Sequence, residues 1–180
     1  MLIAVTGVVC AADALGLEED MENRYVYRVS ASSTTLRSGV VSAPEAQPTI
    51  LFSAPPEFQG EPDRWTPEHF LVAAVASCFV STFSGMAHFS KLEYLSLEIE
   101  VEGTIEKDAE GWRFTQINLR PRLKVALEKE RERANRLLEK AEKACLIVRS
   151  LTSRIVLEPE IVAEDEFLER QKMGNAFSIT

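Results

Sequence analysis

The chain has 180 residues, of which 46% are hydrophobic, 8% aromatic and 27% charged, enough apolar material for one sizeable core and too short for a two-domain enzyme or for wholesale disorder. Its formal charge of −8, from 20 Lys+Arg against 28 Asp+Glu, offers no positive field to neutralise phosphates, so nucleic acid and anionic membrane are poor partners. Three cysteines, Cys10, Cys78 and Cys145, lack CxxC spacing and are an odd count, which argues against a disulfide scaffold and for a reduced compartment, with the cytoplasm as the default.

Residues 1–20 read as an N-terminal extension: the apolar stretch from Leu2 to Val9 has no Lys or Arg before it, as a secretory leader needs, and is shorter than a membrane span. Met21, directly before the first strand, is an alternative start. A single domain is expected over 21–165, with a flexible C-terminal tail over 166–180. From Tyr25, the residues Tyr25, Tyr27, Val29 and Ala31 alternate with Val26, Arg28 and Ser30, the period-two pattern of a half-buried strand. Thr35-Leu36-Arg37-Ser38-Gly39 reads as a turn, and Val40-Val41 and Thr49-Ile50-Leu51-Phe52 as two more strands, so a small antiparallel sheet opens the domain. The loop from Ala54 to Asp63 is punctuated by prolines and a glycine.

Thr66-Pro67-Glu68 is a helix start: Thr caps free N–H groups, Pro is preorganised at the first helical position, and the carboxylate complements the dipole. The helix runs to about Phe89 and is apolar nearly all round, which implies burial on every side, inside the domain or against another subunit. Its uninterrupted run, Phe70 to Ala76, is too short for a bilayer. Leu95, Leu97, Ile99, Val101 and Ile105 then alternate with polar residues as a strand. After the hairpin loop Lys107–Gly111, Trp112, Phe114, Ile117 and Leu119 return with one register shift, a bulge, until Pro121 ends the strand. From about Leu127 the spacing turns helical, with Leu127, Ala134, Leu138, Ala141, Cys145 and Val148 on one inward stripe and a solvated charged face opposite. Ile155-Val156-Leu157 and Ile161-Val162 supply a final strand.

His69 and His88 lack metal-ligand spacing to another His or Cys, so no metal is expected. Nor is there a phosphate-binding loop, dinucleotide fingerprint or serine elbow, so no cofactor is expected. Sulfur chemistry remains. Taken singly, Cys78 in its apolar helix and Cys145 on its buried stripe read as inert core thiols.

The combined pattern says more. Thr66-Pro67-Glu68 opens a helix on which Ser77-Cys78-Phe79 follows with Cys78 ten positions after Glu68, Ala141 and Cys145 lie on a later helix, and Arg37-Ser38-Gly39 occupies the first turn. In this order, over roughly Tyr25 to Val162, the chain resembles the OsmC/Ohr family of thiol-dependent hydroperoxide reductases. It departs from the family where Leu146, in place of proline, follows Cys145.

The resemblance implies an α+β, OsmC-like fold, with antiparallel sheets around a buried central helix, in an intertwined homodimer. It implies that Cys78 is the peroxidatic and Cys145 the resolving cysteine of a peroxidase acting in oxidative stress defence, with a hydroperoxide as substrate and a dithiol, from a lipoyl protein or another thiol, as reductant. Arg37 would hold the Cys78 thiolate and Glu68 would hold Arg37. Phe79 and Phe83 would provide apolar substrate-binding surroundings that favour organic hydroperoxides. At about 1.5 Å rise per residue, Glu68 and Cys78 are about 15 Å apart along one helix, so the carboxylate is expected to act across a homodimer. The alternative reading is a non-catalytic protein of the same fold that binds an apolar small ligand at the dimer interface. A third is a redox-responsive interaction protein.

Overall fold

The structure, a computed structural model, describes residues 24–165; Cys10 and the expectations for 1–20 and 166–180 lie outside the described residues. Strands β1 (Ser30–Ser33), β2 (Ser38–Ala43) and β3 (Ala46–Ser53) form an antiparallel sheet in that spatial order. The first strand is shorter than its alternating pattern suggests: Tyr25 to Val29 lie outside the ladder, and Tyr27 is 85% exposed. The reason is the length of its neighbour. Ser30 pairs with Ser42, next to the turn that ends β2, so residues further upstream have no strand to meet. The turn itself spans 34–37, and Gly39 already lies in β2, where a Cβ would stand 2.4 Å from the Ser32 carbonyl oxygen.

Helix α1 (Pro67–Ser90) begins at Thr66, as its sequence foretells. Thr66 Oγ1 accepts from the His69 N–H (3.3 Å), and His69 Nδ1 accepts in return from the Thr66 N–H (3.2 Å), a capping box built with histidine. At the other end Lys91 adopts a left-handed conformation (φ 55°) and its N–H returns to the carbonyls of Ala87 and His88. By length and composition α1 is long and apolar enough to cross a bilayer, with a mean hydropathy of 1.8, a capacity that the short run Phe70 to Ala76 understates. In this fold it packs instead against the second sheet and two helices.

That sheet is built on a long hairpin, β4 (Ser96–Asp108) and β5 (Gly111–Val125). Asp108 Oδ1 closes its turn by accepting from the N–H groups of Glu110 (2.8 Å) and Gly111 (3.1 Å), with Gly111 at φ 127°. The expected bulge is present: pairing runs Thr104 with Gln116, then Ile105 with Phe114, leaving Thr115 unopposed. Pro121, by contrast, does not end the strand. On its far side β5 pairs in parallel with β6 (Arg154–Leu157) through Leu119 and then with β7 (Glu160–Ala163) from Arg122 onward. Pro121 falls in the gap between these two short strands, where a missing N–H costs no ladder bond, and its ring joins the buried face of β5. The anticipated final strand is therefore two strands, and this second sheet is mixed in direction.

Helix α2 (Arg131–Ala144) starts later than its stripe suggests: Leu127 is exposed, and a 3-10 turn, Glu128–Glu130, precedes it. Ala134, Leu137, Leu138 and Ala141 are buried. The stripe then breaks at Cys145, after which a one-turn helix α3 (Leu146–Arg149) carries buried Val148. The core is one cluster in which Val75, Phe79, Phe83 and Ala87 of α1 meet Ile117, Leu119, Leu123 and Val125 of β5 and the inner face of α2. Only that stripe of α1 is fully buried; the other apolar faces of the helix, Val72, Ala76 and Val80 among them, are half-buried within the protomer. Replacing Leu138 with Ala should lower unfolding stability by about 3 kcal/mol, read from urea denaturation, because no exposed route exists to refill its volume.

Candidate active site

The core stripe fixes the rotation of α1 about its own axis, and this decides where Cys78 points. Phe79 belongs to the buried stripe; its neighbour Cys78, turned by one residue around the helix, is half-buried and meets α3. Cys145 is fully buried and terminates α2. Its N–H donates to the Ala141 carbonyl (2.9 Å), its backbone turns extended (φ −61°, ψ 115°), and its carbonyl accepts from the Arg149 N–H (3.0 Å) to start α3. The break leaves the first N–H groups of α3 free of helical partners. They lie beside the sulfurs and favour their charged forms: Leu146 and Ile147 act on Cys78, and Ile147 and Val148 on Cys145.

The two thiols lie near enough to shift each other's acidity, and the shifts diverge. Burial opposes ionisation of Cys78, but hydrogen bonds from the Cys145 thiol, the Ile147 N–H, the Thr82 hydroxyl and the Leu146 N–H outweigh it and hold Cys78 below the ordinary thiol range. Thr82 stands 4.0 Å from the sulfur, one turn along α1. Cys145 moves the opposite way: burial, and then its role as donor to Cys78, push it up to about 11. The pair thus holds an incipient nucleophile beside a thiol that keeps its proton. Thr82, four residues after Cys78, was open to a spacing argument. The amides were not, because they depend on a helix break that no proline announces.

Arg37 and Glu68 arrive at one end of the protomer. Ser53 N–H donates to the Trp65 carbonyl (2.9 Å) and Ala54 N–H to the Arg37 carbonyl (2.9 Å), so the edge of β3 ties the Arg37 turn to the approach of α1. The expected pair between their side chains is not formed within the protomer. Among the described residues the exposed Arg37 guanidinium has no hydrogen-bonding or ionic partner, and Glu68 Oε2 is buried with none. Among the described residues of the single protomer no cation takes part in lowering Cys78; hydrogen bonds do so. Phe79 and Phe83 require a correction as well. Both are 0% exposed and belong to the core, Phe83 edge-on to Tyr94 at 5.4 Å, so neither lines a surface that a substrate reaches. The aromatic surface beside Glu68 is a different one: half-exposed Trp65, stacked on Phe70 at 5.8 Å, with Phe52 edge-on at 6.4 Å.

The family model described as OsmC-like protein matches residues 60–160. Among curated proteins, the uncharacterized protein YmaD of Bacillus subtilis (strain 168) is 29% identical over 111 residues, 60% of this chain and 74% of that protein. Among solved structures, an OsmC-like protein of unknown function from Vibrio cholerae is similar with a TM-score of 0.68 at 19% identity, over 76% of this chain and 99% of that one. An organic hydroperoxide resistance protein OsmC from Legionella pneumophila is similar with a TM-score of 0.64 at 20% identity, over 77% and 98% of the two chains. At these identities the structural likeness establishes the fold.

The thiolate is the form that alkylates, so Cys78 should react with iodoacetamide at neutral pH while Cys145 stays unmodified until the pH nears 11, as followed by peptide mass. Cys145→Ala removes a donor that favours the charged sulfur; the Cys78 pKa should therefore rise and its alkylation rate at pH 7 fall by about threefold or more.

Proposed function

The chain belongs to the OsmC-like protein family, and on that premise we propose that it is a homodimeric, thiol-dependent peroxidase of the cytoplasm, which reduces organic hydroperoxides to alcohols in oxidative stress defence. The observation that carries this reading is the contact between two thiols of opposite tendency, Cys78 held toward the thiolate and Cys145 held protonated. The Cys78 thiolate attacks the distal oxygen of the hydroperoxide; the O–O bond breaks, the alkoxide takes a proton and leaves as alcohol, and Cys78 becomes a sulfenic acid. The Cys145 sulfur then displaces the sulfenic hydroxyl, which leaves as water with the Cys145 proton, and a disulfide forms. An external dithiol, from a lipoyl protein or another thiol, supplies two electrons and two protons to reopen it.

The dimer answers three features of the single protomer: the half-buried apolar faces of α1, the partnerless Arg37, and the orphaned oxygen of Glu68. A second copy packed along α1 buries those faces, and Arg37 and Glu68 of one protomer complete the site of the other. Trp65 and Phe70 travel with Glu68 and form the apolar wall for the organic part of the substrate. The preference for organic hydroperoxides also has the support of the name carried by the Legionella relative.

The test is intact mass and free-thiol count before and after one equivalent of cumene hydroperoxide. Wild type should lose two thiols through a Cys78–Cys145 disulfide, Cys145→Ser should stop at a single sulfenic acid, and Cys78→Ser should not react. Unreacted wild-type thiols would favour the non-catalytic, apolar-ligand reading, and full turnover by a monomer in size-exclusion chromatography would overturn the shared site.

A further inference from the structure

A closed set of hydrogen bonds joins the Arg37 turn to the proline- and glycine-rich loop, and the chemistry above makes no use of it. Ser53 is fully buried and Ser38 nearly so. Ser38 Oγ donates to Glu61 Oε1 (2.7 Å) and stands 3.1 Å from Ser53 Oγ. The Glu61 N–H donates to Ser53 Oγ (2.8 Å), and the Ser53 hydroxyl gives its hydrogen to the Arg37 carbonyl (3.4 Å), which also accepts from the Ala54 N–H (2.9 Å). Each hydroxyl hydrogen thus has its own acceptor. Gly60 makes the approach possible: a Cβ there would stand 1.6 Å from the Ala54 carbonyl oxygen.

We propose that Glu61, acting through Ser38 and Ser53, is a positioning residue that fixes the direction in which the Arg37 guanidinium leaves its turn. The inference rests on the role given to Arg37 in the peroxidase reading. Within the protomer that guanidinium has no partner among the described residues, so the backbone alone sets the point and bond direction from which the side chain departs, and the backbone of residue 37 is held by Ser53 and Ala54. Glu61 is the one charged group in the set. The Ser38 hydroxyl, working against desolvation and helped by Arg64, whose Nε is 3.5 Å from Glu61 Oε2, keeps its carboxyl below the usual carboxylate range and therefore ionised as an acceptor. Without the carboxylate the Ser38 hydroxyl loses its shortest bond and can turn only to the second lone pair of Ser53 Oγ, so the tie between the turn and the loop slackens and Ser53, which holds the Arg37 carbonyl, is less firmly placed.

Two readouts on the full-length protein test this: the second-order rate constant with cumene hydroperoxide, and the Cys78 pKa from the pH dependence of iodoacetamide alkylation. Arg37→Ala should slow the first and raise the second. Glu61→Ala and Ser38→Ala should move both in the same directions, with a rate loss of about tenfold, as expected of a misaimed group. Glu61→Gln, whose amide oxygen still accepts from Ser38, should recover most of the loss, and Glu61→Ala should add nothing to Arg37→Ala. Ser38→Ala removes a single hydroxyl and keeps the comparison available if Glu61→Ala melts early by circular dichroism. If Arg37→Ala moves both readouts while Glu61→Ala and Ser38→Ala move neither, or if their effects add to that of Arg37→Ala, the positioning role is overturned and the peroxidase reading stands. If Arg37→Ala itself moves neither, the role of Arg37 falls, and this inference with it.

Discussion

The rotation of one helix governs this protein. Val75, Phe79, Phe83 and Ala87 recur every fourth residue, so α1 has one deeply buried line, and each phenylalanine taken from water contributes about 2–3 kcal/mol to holding that line against β5 and α2. A helix set to any other angle would expose two aromatic rings. Because the angle is set, Cys78 has one available direction, and it is the direction in which α2 breaks. The orientation of Cys78 thus depends on the packing of residues that carry no reactive atom themselves.

Within the single protomer the asymmetry between the two sulfurs arises without a charged side chain. Both thiols are withdrawn from water, which by itself would make both reluctant to ionise. Each sulfur is favoured by two amides, but Cys78 is helped further by the neighbouring thiol and a hydroxyl, whereas Cys145 is opposed by burial and by its role as donor to its neighbour. The direction of one shared hydrogen bond therefore separates two groups of identical chemistry. Leu146 contributes here through its backbone: a proline at this position would have no N–H to offer Cys78.

Much of this was legible in the amino-acid sequence, and the losses have common causes. Local chemistry read well: the Thr66-Pro67 start of α1, the alternation along β4, and the bulge beside Phe114 all follow from cap preferences and side-chain period. Readings failed where a neighbour decided the matter. Pro121 sits inside a strand because β6 stops and β7 has not begun; Tyr25 to Val29 lack a ladder because β2 has turned away; Leu127 continues a helical spacing that the backbone does not follow. At the site, the spacing between Glu68 and Cys78 placed both on α1, but the same arithmetic could not reveal that Phe79 and Phe83 face the core, or that the amides beyond Cys145 turn toward Cys78.

The interruption at Cys145 has a mechanical side. Fourteen residues of α2 are anchored by a buried face, whereas α3 has four residues and one buried side chain, Val148. A pull on the Cys145 sulfur is therefore borne unequally: the long helix acts as the fixed wall and the single turn beyond it as a short lever arm, pivoting on one peptide. Work done at the sulfurs can then be absorbed by rewinding a few dihedral angles, and the load stops there before it reaches the rest of the fold.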